Sequence, residues 1–305
     1  MEALKPKALK RGDTIGVFSP SYEPAVGRLK RGIKALEKAG YNVVLDSDIN
    51  SFRHYSVKED KKYAEKFMGM WSNPKINGII CSTGGYGAVR LIPYLDPEVF
   101  KMDPKVFVGY SDITILHIWL NNLGIISFHG PTVDDLTPAL YEPSFKSLLN
   151  AIQVPYPTGK IGRDICQSVK DGKAFGRLVG GNLSLIQQTI GTSYQIDTTD
   201  AILFIEETKE PMSVVDERVI HIEAAGLLNS VKGIVIGQLS LDISEEPEFE
   251  NFLVDLFSKV DVPILTSFPA GHDSPNMTLP LGAQVELVAM EGSGYLRYKE
   301  SALMP

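Results

Sequence analysis

Short apolar runs alternate with stretches of helical period through the first half of the chain. Residues 14–18 form an apolar run closed by Ser19-Pro20. Apolar positions over 26–39 recur with a helical period, and Gly40 supplies a left-handed stop. Residues 42–45 predict the next strand, 57–71 an amphipathic helix and 76–81 a third strand. The loop Gly84-Gly85-Tyr86-Gly87 precedes a predicted helix over 88–95. A strand from Val106 and a helix over 113–123 follow. This alternation predicts an α/β fold with a doubly wound, mainly parallel sheet. Such sheets gather ligands at the carboxyl ends of their strands, where the loops at Ser19, Gly84 and Ser111 all fall.

The rhythm breaks after His129-Gly130-Pro131. Residues 153–176 carry Pro155, Pro157 and several glycines with little apolar period, and read as a linker. Beyond it come a helix over 183–190, a strand over 201–205 ending in Glu206-Glu207, and a helix over 214–225. Short strands follow over 231–238 and 262–265, then a closing hairpin from 285–290 and 294–298. The expected organisation is an α/β domain over 1–152, a linker over 153–176 and a smaller mixed β/α domain over 177–305.

Composition narrows the partners. The chain has 305 residues, 44% hydrophobic and 22% charged, a globular balance that supports a sizeable core. A net charge of -7 without a basic run argues against nucleic acid and anionic membrane. The N-terminal Met1-Glu2-Ala3-Leu4-Lys5-Pro6-Lys7 lacks the apolar core of a secretory signal, and no apolar stretch reaches membrane-spanning length. Cys81 and Cys166 are the only cysteines, which fits a reducing, cytoplasmic setting.

The candidate chemistry centres on Val106-Phe107-Val108-Gly109-Tyr110-Ser111-Asp112-Ile113, where an apolar run ends and a helix begins at once. A strand turning sharply into a helix lifts the serine hydroxyl out of the sheet, beside the first N–H groups of the helix. That is the setting of an acyl-transfer nucleophile. Ile113 stands where the G-x-S-x-G elbow has its second glycine, and Ser111-Asp112 also suits a plain helix cap.

A base is needed. Of His54, His117, His129, His221 and His272, His117 and His221 sit inside helical patterns, as packing or surface residues. His272 lies in a loop between a strand and the segment 278–281. A neutral imidazole there can take the serine proton and return it to a leaving group; a simple turn histidine is the other reading. Glu206 ends an apolar strand and can accept the imidazole N–H, while Glu207 faces the other way. The pair Glu217-Arg218 reads as structural.

Residues 82–87 can present bare backbone N–H groups to an oxyanion, with the Asp112 N–H as second donor; a tight turn and a phosphate cradle are the other readings. No Walker loop follows, and Arg90 occupies the third glycine position of a dinucleotide fingerprint. No metal-ligand spacing occurs, and Cys81 reads as a core cysteine. A non-catalytic peptide- or sugar-binding protein on the same scaffold is a further alternative, though a binder needs none of Ser111, Glu206 and His272. A nucleotide-binding oxidoreductase is a weaker one.

Several segments in order carry a resemblance. They are Lys10-Arg11-Gly12-Asp13-Thr14-Ile15-Gly16-Val17, Ser19-Pro20, Gly84-Gly85-Tyr86-Gly87, Gly109-Tyr110-Ser111-Asp112 and Phe128-His129-Gly130-Pro131. Gly176-Arg177-Leu178-Val179-Gly180-Gly181-Asn182-Leu183, Phe204-Ile205-Glu206-Glu207, Glu217-Arg218, Gly271-His272 and Thr278-Leu279-Pro280-Leu281-Gly282 complete the set. Together they resemble the LD-carboxypeptidase family of serine peptidases across nearly the whole chain. The resemblance implies a triad of Ser111, Glu206 and His272, with the N–H groups of Gly85 and Asp112 as oxyanion donors. It also implies a cytoplasmic, cofactor-free enzyme, usually a homodimer, acting on a small peptide.

The family's best-known reaction removes the terminal D-alanine from murein tetrapeptides during cell-wall recycling, by cleaving an L,D bond. One branch instead confers immunity to a peptide–nucleotide antibiotic of the microcin C type. Many murein enzymes carry arginine where Thr83 stands, and Ser82-Thr83 leans toward the immunity branch. The absence of tryptophan beyond Trp71 and Trp119, the chain length and Glu210-Pro211 lean toward the murein reading, which we prefer.

Overall fold

The computed structural model describes residues 3–49, 56–136, 141–157, 159–162, 165–240, 249–290 and 292–305. His54 lies outside them. Two sheets form the framework. The first is six-stranded, in the order β12-β5-β4-β3-β1-β2. It comprises β1 (Thr14–Phe18), β2 (Asn42–Leu45), β3 (Gly78–Cys81), β4 (Val106–Gly109), β5 (Ser127–His129) and β12 (Leu279–Leu281). All neighbours are parallel except β12, which runs antiparallel to β5.

The helices of this half bury the faces that their period marks. α1 (Val26–Lys38) buries Leu29, Gly32, Ala35 and Leu36, and Gly40 follows it at φ +100°. α2 (Val57–Ser72) begins at Ser56, whose hydroxyl accepts the Glu59 N–H. Its Phe67 and Trp71 pack with Phe18, Phe100 and Phe107 in one aromatic cluster. Residues 88–95 depart from the expected helix. They form two 3₁₀ turns, Ala88–Arg90 and Ile92–Tyr94, because Pro93 has no N–H to continue a helical ladder. A short helix, α3 (Pro97–Met102), follows and starts at the cap Asp96.

The second sheet is eight-stranded, in the order β6-β14-β13-β8-β9-β10-β11-β7. Its central strands, β8 (Gly172–Asn182), β9 (Ala201–Thr208), β10 (Gly233–Ser240) and β11 (Ile264–Thr266), are parallel. The antiparallel pair β13 (Gln284–Met290) and β14 (Ser293–Tyr298) is the expected closing hairpin. The segment read as a linker contributes β6 (Lys160–Ile161), β7 (Gln167–Lys170) and the first residues of β8. Its polar, weakly periodic sequence fits strand residues that are mostly exposed or half-buried, which is why it lacks an apolar signal. α5 (Tyr141–Gln153), α6 (Leu183–Gln188), α7 (Met212–Ala224) and α8 (Phe249–Leu256) complete the chain. Among the described residues no helix is long and apolar enough to cross a membrane.

One helix ties the halves together. α4 (Thr114–Asn122) is buried from Thr114 to Asn121 and touches β5 on one side and β8 on the other. A helix apolar on every side belongs in an interior. Two of its polar side chains bond to backbone: His117 Nε2 pairs with Gly109 O at 2.9 Å, and Asn121 donates to Ile125 O at 2.9 Å, while His117 Nδ1 is buried without a partner among the described residues. Thr114 Oγ1 accepts the Asn182 N–H at 3.0 Å, which joins the start of α4 to the end of β8. The β4–α4 turn is thereby fixed against the carboxyl edge of the second sheet.

Candidate active site

Gly109 ends β4, Tyr110 is extended, and Ser111 adopts φ +62° before the turn Ser111–Ile113 opens α4. A non-glycine residue in this left-handed region costs about 1–2 kcal/mol, and the strain is held by the buried elements on both sides. The glycine loop lies directly against it. A Cβ built on Gly84 would sit 3.0 Å from Ser111 Cβ and 3.2 Å from its Oγ. Gly85 has φ +124°, and its N–H has no hydrogen-bond partner among the described residues.

The structure brings His272 and Glu206 together. His272 Nδ1 donates to Glu206 Oε2 at 2.6 Å. Glu206 is fully buried in β9, and two glycines make room for it. A Cβ on Gly237 or Gly271 would lie 3.2 or 3.3 Å from Glu206 Cβ. Burial raises the Glu206 carboxyl, opposed by the His272 hydrogen bond and charge. For His272 the largest influence is again burial, which disfavours the imidazolium. The hydrogen bond and charge of Glu206, with the charges of Glu207 and Asp135, outweigh it and hold His272 above the ordinary histidine value.

Ser111 meets this pair through its neighbour. The Tyr110 ring packs edge-on against His272 with centroids 4.9 Å apart. Ser111 Oγ makes no hydrogen bond to His272 in this structure; in free enzymes such bonds are often long and shorten only with substrate bound.

Glu207 faces the other way. It is nearly fully buried and accepts from Asn182 Nδ2 at 2.9 Å, Ser184 Oγ at 2.6 Å and Arg218 Nη1 at 2.9 Å. Arg218 also pairs with Glu210 at 2.9 Å, so the arginine of Glu217-Arg218 has a structural role and anchors the strand end. Removing one partner of a buried ion pair leaves an uncompensated charge. Glu207→Ala is expected to lower stability by about 3 kcal/mol, read by urea denaturation.

The remaining sequence candidates have structural places. His117 is buried in α4, and His221 Nδ1 meets Gln187 on the surface at 2.8 Å. Cys81 is fully buried, and burial pushes its thiol well above the ordinary value. His129 is fully buried with neither ring nitrogen hydrogen-bonded among the described residues, and burial drives it far below the usual histidine range.

Sequence reasoning missed the residues that brace the His272 loop. Gln238 donates to Pro275 O at 3.0 Å and accepts the Asp273 N–H at 2.8 Å, clasping the loop from both sides. Ser144 on α5 accepts the Asn276 N–H at 2.9 Å. A cavity beside His272 is lined by Tyr110, Asp135, Ser144, Asp273 and Asn276. The glycine before Gln238 at the end of an apolar strand is the only sequence signal for any of them. The structure places an irregularity in the β9–β10 pairing there.

Comparison with known proteins decides the family. Residues 15–130 match the LD-carboxypeptidase N-terminal domain and residues 175–287 the LD-carboxypeptidase C-terminal domain. The chain belongs to the LD-carboxypeptidase family. It is 32% identical over 298 residues to the probable murein peptide carboxypeptidase of Bacillus subtilis (strain 168), covering 94% of this chain and 92% of that one. It is 26% identical over 313 residues to the microcin C7 self-immunity protein MccF of Escherichia coli, covering 90% of each. The crystal structure of muramoyltetrapeptide carboxypeptidase from Oxalobacter formigenes superposes with a TM-score of 0.83 at 26% identity, covering 94% of this chain and 99% of that one. Family membership makes this chain a peptidase with a two-domain α/β fold.

Proposed function

We propose that this chain is a serine carboxypeptidase that cleaves the L,D bond to the terminal D-alanine of murein tetrapeptides. The observation that carries the reading is the His272–Glu206 pair, held at 2.6 Å beside the left-handed Ser111 turn. In this reading His272 Nε2 takes the Ser111 proton as Oγ attacks the scissile carbonyl. The developing oxyanion is held by the N–H groups of Gly85 and Asp112. Glu206 fixes the Nδ1–H tautomer and stabilises the imidazolium. The imidazolium then gives its proton to the leaving amine of D-alanine, which leaves Ser111 acylated. Water attacks the ester, His272 takes its proton, and Ser111 recovers that proton as the tripeptide acid leaves.

The murein substrate is supported by the 32% identity to the Bacillus subtilis relative. Cleavage of a microcin C-type antibiotic is the second reading, favoured by Ser82-Thr83 and by the likeness to the immunity protein. The proposal includes a nucleophile-bearing unit over 1–152, a unit over 177–305 bearing Glu206 and His272, and a cytoplasmic homodimer. Incubation with murein tetrapeptide and with a microcin C analogue, with products identified by mass, tests the assignment. Release of D-alanine supports the murein reading. Cleavage of the analogue alone transfers the chain to the immunity branch.

The mechanism routes no step through a metal. Hydrolysis is therefore expected to be undiminished in excess chelator. Chelator-sensitive turnover restored by zinc would count against the proposal.

A further inference from the structure

The two proposed oxyanion donors sit on separate loops, so something must fix the distance between them. Asp112 is only 3% exposed, and one of its oxygens joins three segments. Its Oδ2 accepts from Ser21 Oγ at 2.5 Å and from the Ala88 N–H at 2.9 Å. Asp112 belongs to the turn that opens α4, Ser21 to the loop after β1, and Ala88 to the end of the glycine loop after β3.

A second set of contacts joins the β1 loop to the glycine loop. Ser19 Oγ donates to Tyr22 O at 2.9 Å and pairs with Ser82 Oγ. Its single proton is used on Tyr22 O, so Ser82 is the donor to Ser19. The Tyr22 N–H meets Gly84 O at 3.4 Å. The Tyr22 ring lies on Gly85 so closely that a Cβ there would fall 2.4 Å from Tyr22 Cδ2.

We infer that the Asp112 carboxylate and the Ser21 hydroxyl are positioning groups that hold the Gly85 and Asp112 N–H groups at a fixed separation. The inference rests on the serine-peptidase reading above. Oxyanion donors act only near 2.7–3.1 Å from the developing charge, and loss of one costs about 10²–10³ in turnover. A carboxylate that ties both donor loops to a third loop, itself bonded to the glycine loop, supplies that preorganisation. It touches no substrate itself. Its loss should therefore affect the tetrahedral state more than substrate binding.

The test compares Ser21→Ala, Asp112→Ala and Asp112→Asn in the full chain. With murein tetrapeptide, Ser21→Ala is expected to lower kcat about tenfold and Asp112→Ala about a hundredfold, with KM within about twofold. Asp112→Asn keeps an acceptor oxygen and should recover kcat to within about fivefold of wild type. A change confined to KM, or no rescue by asparagine, overturns the inference while leaving the serine reading intact. Hydrogen exchange over residues 82–88 needs no substrate. It should accelerate in Ser21→Ala and Asp112→Ala, and unchanged exchange overturns the inference even if the tetrapeptide proves not to be a substrate. An unreactive wild-type Ser111, by contrast, would sink the serine reading itself.

Discussion

Ser111→Ala is expected to lower tetrapeptide hydrolysis by roughly 10⁴- to 10⁶-fold while leaving the thermal unfolding transition nearly unmoved. The rate loss follows because a strand-to-helix turn places Ser111 Oγ against the glycine loop, where the nucleophile is proposed to act. The small stability effect follows from its half-buried side chain, which makes no hydrogen bond among the described residues. Alanine keeps the left-handed strain of φ +62° without adding any. Kinetics and a melting curve on the same preparation check both parts. A variant that keeps most of its activity would remove the nucleophile from the account.

Glu206→Gln is expected to lower the maximum rate by about 10²- to 10⁴-fold and to move the acid limb of the pH profile downward. The sign follows from the direction of the His272 shift. His272 must be neutral to accept the serine proton, so activity falls as pH drops through its pKa. Burial disfavours the imidazolium, but the Glu206 hydrogen bond and charge prevail, so the limb in the native enzyme lies above the ordinary value of about 6.5. Glutamine still accepts the Nδ1 hydrogen bond but carries no charge. Burial then dominates, although Glu207 and Asp135 still oppose it, and the limb moves to lower pH. His129 is held neutral far below this range and contributes no competing step. Rate–pH profiles of the two enzymes check this. A limb that stays in place, or moves up, contradicts the assignment of His272 as base with Glu206 as its partner.

Local signals in the sequence carried much of this fold and site. The strand-to-helix junction at Ser111 was legible because an apolar run, Gly109 and an immediate helical period are all local features. The choice of Glu206 as the acid facing His272 rested on the two-residue alternation of a strand. The structure pairs His272 with Glu206 and turns Glu207 toward Arg218. The strands within 153–176 were not legible, because strand residues that are mostly exposed or half-buried lack the apolar alternation that marks a core strand. The turns at Ala88–Arg90 and Ile92–Tyr94 show a helical period overridden by Pro93. Gln238, Ser144 and Ser21 escaped notice for a different reason. Each acts through one hydrogen bond or two to a residue remote in sequence, and nothing in its own neighbourhood announces that partner.

Covalent capture shows whether Ser111 is the nucleophile. The native protein and a Ser111→Ala variant are treated with a fluorophosphonate, and the adduct is located by peptide mass mapping. The account predicts one phosphonyl group per native chain, on Ser111, slowed strongly in a Glu206→Gln variant and absent from Ser111→Ala. An adduct on another residue, or equal labelling of the native protein and the Ser111→Ala variant, would contradict it.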